Sequence, residues 1–89
     1  MQDVSSEHPQ IAEGLDINEV DDGLVVYQES IERVHHLNPT ASVVLQLCDG
    51  RRDGAEIAAA VGALFGLEAV PHEEVESCLS RFAREGLIR

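Results

Sequence analysis

Apolar and polar positions along the chain change period part-way, and that change sets the predicted architecture. From Leu37 the sequence reads L-N-P-T-A-S-V-V-L-Q-L-C-D-G-R-R-D-G. Ala41, Val44, Leu45 and Cys48 fall at i, i+3, i+4 and i+7, which makes one apolar stripe of a short amphipathic helix. Asn38 is a favourable N-cap for it. Pro39 suits its first position, where a backbone N–H has no intrahelical partner, and Asp49-Gly50 supplies the stop. A second helix is predicted from Asp53, with Glu56 completing a D-x-x-E capping box, Ile57, Val61, Leu64 and Phe65 forming the stripe, and Gly66 ending it. A third begins near Pro71. Glu73, Glu74 and Glu76 sit at its positive N-terminal end, Val75, Cys78, Leu79 and Phe82 form its apolar face, Arg81 and Arg84 complement its C-terminal end, and Gly86 stops it.

Upstream of Leu37 the helical period is absent. Leu15, Ile17 and Val20, then Asp21-Asp22-Gly23, then Leu24-Val25-Val26-Tyr27 read as a hairpin closed by an acidic turn. A third strand is expected from Ile31 to Leu37 on its β-branched Ile31 and Val34, although Glu32-Arg33 would fit a helix equally well. Residues 1–10 are polar, contain Pro9 and lack periodicity, so they are expected to form a flexible tail, with residues 11–89 as one domain. Three strands followed by three helices predict an α+β fold with the helices on one face of a small antiparallel sheet.

Eighty-nine residues suffice for one hydrophobic core and no more. With only Phe65, Phe82 and Tyr27 as aromatics, that core must be aliphatic. The formal net charge is −11, and all six basic residues are arginines. The absence of lysine removes Schiff-base, phosphate-loop and lipoyl- or biotinyl-lysine chemistry together. Excess negative charge opposes nucleic-acid binding, and the acidic third helix has the wrong sign for a recognition helix in a major groove. The first residues have no basic and apolar pattern of a signal peptide, and no run reaches membrane-spanning length, so a cytoplasmic protein without membrane contact is expected. Cys48 and Cys78 lie on apolar helix stripes and are expected as buried thiols, a disulfide between them being the competing reading.

Candidate chemistry is sparse. Neighbouring strand side chains point to opposite faces, so His35-His36 cannot chelate one ion together, and solvent-facing or groove-lining histidines are the plainer reading. His8 and His72 add no zinc-ligand spacing. No nucleophile has an evident base and no phosphate loop is present, so neither catalysis nor a metal or other cofactor is expected. Glu29-Ser30-Ile31-Glu32 looks like the phosphopantetheine site of acyl carrier proteins. A carrier, however, needs a long helix upstream, where this chain has its D-D-G turn and a Leu-Val-Val-Tyr strand. A winged-helix interaction module is a further alternative.

Leu37-Asn38-Pro39-Thr40-Ala41, Leu47-Cys48-Asp49-Gly50 and Glu85-Gly86-Leu87-Ile88, following the acidic hairpin, give the chain its resemblance to the PqqD-like peptide chaperones, stand-alone recognition elements for ribosomally made precursor peptides. The resemblance runs from about Ile11 to Ile88. It implies a winged helix-turn-helix-like fold with a three-stranded antiparallel meander beside three helices. It also implies a non-catalytic protein that binds a precursor's leader by β-strand addition and presents it to a modifying enzyme, often a radical S-adenosylmethionine maturase, for pyrroloquinoline quinone or another modified peptide. The leader would add along the open edge of the third strand, against the third helix. Carried onto this chain, the implied peptide-binding residues are Arg33, Val34, His35, His36 and Leu37 on the strand and Val75, Cys78, Leu79 and Phe82 on the helix, several of which could equally be core. The acidic surface suggests basic residues in the leader or enzyme, and self-pairing at the open edge would give a weak homodimer instead of a monomer.

Overall fold

The computed structural model describes residues 8–89. Its elements follow the predicted order: strands β1 (Leu15–Val20), β2 (Gly23–Gln28) and β3 (Arg33–Leu37), then helices α1 (Pro39–Gln46), α2 (Gly54–Phe65) and α3 (His72–Arg84). The strands form one antiparallel sheet in the order β1-β2-β3, so β1 and β3 are both edges.

The first hairpin is closed by Asp21 and Asp22, with Val20 opposite Gly23. Gly23 is required by space. A Cβ there would stand 1.8 Å from the Leu37 carbonyl oxygen, so only glycine lets β2 start this close to the end of β3. The third strand starts two residues later than the sequence suggests. Glu29–Ile31 form a 3₁₀ turn and Glu32 takes a left-handed conformation (φ 52°), so the chain reverses before pairing resumes at Gln28↔Arg33. Ser30 therefore sits in an exposed turn between two strands, and the upstream helix of a carrier protein is replaced by β1 and β2.

Helix ends obey their local signals. Asn38 Oδ1 accepts from the Ala41 N–H at 2.8 Å, and Asp53 and Glu56 make both bonds of the capping box at 2.9 Å. Gly66 closes α2 in the left-handed region (φ 64°), which a side-chain-bearing residue would enter only with strain. The α2 stripe is buried only in its first half: Ile57 and Val61 are inside, but Leu64 is 66% and Phe65 41% exposed, and all of residues 63–70 lie at the surface.

Leu24, Val26 and Leu37 from the sheet meet Val44, Leu45, Ile57, Val61, Val75, Leu79 and Phe82 from the helices in one core. Each of the larger side chains contributes about 1.5–3 kcal/mol by leaving water. Part of the expected tail joins this body. Pro9 is buried, and Gln10 exchanges backbone hydrogen bonds with Arg89 at 3.1 and 2.8 Å, so packing begins before Ile11; the remainder of that expected tail, residues 1–7, lies outside the described residues. Among the described residues, no helix is long and apolar enough to cross a membrane.

Candidate functional site

The sheet's alternation divides the residues of β3. His35 and Leu37 point into the protein and are buried, whereas Arg33, Val34 and His36 are exposed, Val34 by 54%. Being the last strand of the sheet, β3 also has a row of backbone N–H and C=O groups with no strand beside them among the described residues.

His35 is therefore neither solvent-facing nor groove-lining. Its Nε2 meets Gln28 Oε1, its Nδ1 lies 3.4 Å from Glu85 Oε1, and Gln28 Nε2 donates to the Glu85 carbonyl at 2.9 Å. Both ring nitrogens thus face oxygen acceptors. The three residues, one from each of β2 and β3 and one at the end of α3, tie the helix terminus to the strand edge. Glu85 Oε1 is also 3.3 Å from Arg81 Nε, one turn back along α3. Sequence reasoning missed Gln28 and Glu85 because their partners lie 57 and 50 residues away along the chain, where no periodicity connects them.

On α3 the candidate residues also separate. Val75, Leu79 and Phe82 are wholly buried and belong to the core. Cys78 is half-buried rather than buried, and with Arg81 and Glu85 it follows the i, i+3, i+7 line of one helix face, the face whose end touches His35. The nine sequence-named residues thus divide into four accessible side chains, Arg33, Val34, His36 and Cys78, and five interior ones. Arg81 joins the accessible group.

Both thiols are free. Burial, with smaller contributions from Asp49 and Cys78, pushes the Cys48 thiol up to about 12, and its Sγ lies 3.2 Å from the Val44 carbonyl oxygen. Burial also raises Cys78, offset in part by the Arg81 guanidinium. Neither is an activated nucleophile at neutral pH. Among the described residues, no group of three or more His, Cys, Asp or Glu side chains is arranged to hold a metal ion.

An open strand edge thus lies linked through His35 and Glu85 to the end of α3, and sequence comparison assigns the same fold a family. The family model described as coenzyme PQQ synthesis protein D (PqqD) matches residues 23–88. The chain belongs to the PqqD family. No curated protein matches it. Among solved structures, this PqqD-family chain is similar to TbiB1 in complex with the TbiA(beta) leader peptide, with a TM-score of 0.71 at 20% identity over 90% of this chain and 94% of that one. It is also similar to a lasso peptide synthetase B1 complexed with the leader peptide, with a TM-score of 0.71 at 16% identity over 92% and 98% of the two chains. At these identities the likeness is one of fold.

Proposed function

We propose that this PqqD-family protein is a non-catalytic peptide chaperone. It binds the leader of a ribosomally made precursor by adding it as a fourth strand beside β3, and presents it to a modifying enzyme. The observation that carries this reading is the unpaired edge of β3, linked at its middle to the C-terminal end of α3 through His35 and Glu85. Backbone groups of residues 33–37 supply sequence-tolerant hydrogen bonds. Alternate leader side chains meet Val34 and His36 on the outer face of the sheet, and Arg33, Cys78 and Arg81 on the helix side. Leu37, Val75, Leu79 and Phe82 act from beneath, by holding the edge in place.

The two complexes with the same fold, each described with a leader peptide, support this reading. A separately encoded maturase, often of the radical S-adenosylmethionine class, would then perform the chemistry, in the cytoplasm and with the chaperone as a monomer or weak dimer.

The test is an NMR titration of labelled protein with the synthetic leader of the precursor encoded beside it. Shifts confined to amides of residues 33–37 and 78–86 are expected. Saturable binding that leaves those amides unmoved would place the peptide elsewhere and end the strand-addition reading.

A further inference from the structure

Beyond the end of β3 the surface does not close. Two shallow hollows adjoin there. The first, about 300 Å³, begins at His36 and Leu37, and the second, about 370 Å³, extends between the β1–β2 turn and α1 as far as Phe65. They share Val20, Asp22, Leu24 and Pro39 as a common wall, so the surface is continuous from the end of the β3 edge to the last turn of α2. Each is of the size at which binding sites begin.

The chemistry of this surface is mixed in a specific way. Its floor exposes apolar side chains that the fold leaves wet, Val20 by 45% and Phe65 by 41%. Its rim carries Glu19, Asp21 and Asp22, and no arginine lines either hollow. We infer that this surface is a second subsite for the same peptide, occupied where the peptide runs off the end of β3 by a Lys or Arg next to a large apolar residue. The inference rests on the strand-addition reading, since it takes its occupant from continuity with the β3 edge. A second copy of the chain is a poor occupant, because a net charge of −11 opposes the approach of another such molecule to three carboxylates.

The subsite changes what the protein selects. Strand addition alone accepts most extended sequences, because backbone groups do the binding. A basic and apolar pair at a fixed distance from the strand would set the register in which the peptide lies, and so which residues are presented.

The test is an mRNA-display selection on the full chain, using random peptides long enough to cover β3 and both hollows. Selected peptides are expected to carry an alternating apolar segment with a basic and apolar pair beyond one end. Cutting off that pair should weaken binding about tenfold. So should Phe65→Asp, and D21N combined with D22N, which changes charge at two exposed turn residues and tests the site without a risk to folding. The losses should not add when cut peptide meets variant protein. If the cut and the variants each change affinity less than about twofold while the β3 amides still shift, the subsite is overturned and strand addition stands. If the selected peptides leave the β3 amides unmoved, the strand-addition reading fails and the inference with it. Variants that weaken only a modifying enzyme's binding would overturn the subsite in favour of enzyme docking at this surface.

Discussion

The sheet has two open edges, and they differ in what stands behind them. β1 reads L-D-I-N-E-V; every residue after Leu15 is exposed, Ile17 by 36%, and Asp16 and Glu19 place charge along it. β3 reads R-V-H-H-L, with His35 and Leu37 buried beneath it and Glu85 of α3 within reach of the strand. Unpaired backbone is common to both. Charge and lack of support make β1 a poor template for pairing, whereas under the proposed strand addition α3 would offer a chain added at β3 side-chain contacts as well as backbone bonds. The proposed receptor is thus the edge whose inward residues are buried in the core and linked to a second element.

Removing the support should produce the largest effect. Phe82→Ala and Leu79→Ala leave cavities in the core that β3 shares with α3 and are expected to cost about 2–5 kcal/mol each in urea unfolding. Ile17→Ala on β1 removes a side chain that is already partly wet, and is expected to cost less than about 1 kcal/mol. Equal losses at the core positions and on β1 would erase the difference in support.

Next comes the tie between the strand and the helix. His35→Leu keeps approximate volume but takes a ring partner from Gln28 and Glu85 at once. A loss of about 1–3 kcal/mol is expected, together with faster hydrogen exchange at Glu85–Leu87. Unchanged exchange there would mean that α3 is held without His35.

At the edge itself, Val34→Asp should lower leader affinity about tenfold by calorimetry without changing the unfolding midpoint. Asn18→Asp, placed on the outward face of β1, should change affinity less than about twofold. An effect of similar size at both positions would mean that the peptide does not discriminate between the edges.

The smallest effects separate the two cysteines. At pH 8 a thiol reagent should modify half-exposed Cys78 well before Cys48, and bound leader should slow only the Cys78 reaction. Because the folded thiol of Cys48 titrates near 12 against an ordinary 9.0, its burial stabilises the fold fully below pH 9. That contribution is lost as pH rises from 9 towards 12. Cys48→Ala should flatten this part of the alkaline stability profile.

Much of the fold was legible because local rules and tertiary structure agree. Asn38, the Asp53–Glu56 box and Gly66 act through neighbouring backbone groups, so their positions alone specify where helices begin and end. The start of β3 was less legible. Ile31 has strand propensity, yet the left-handed Glu32 has already committed the preceding residues to a turn. Leu64 and Phe65 continue the α2 stripe in sequence but stay exposed, since periodicity records a face and not whether another element covers it.

By itself the sequence determined the order of strands and helices, the caps, the aliphatic core and the acidic balance without lysine. Each of these follows from short-range backbone chemistry or from composition. Tertiary structure alone decided that His35 is buried between Gln28 and Glu85, and that Cys78 and Arg81 stay partly accessible while Val75, Leu79 and Phe82 do not. The reason is that one helical face holds both wall and core residues. Only the packing of α3 against α1 and α2 divides them.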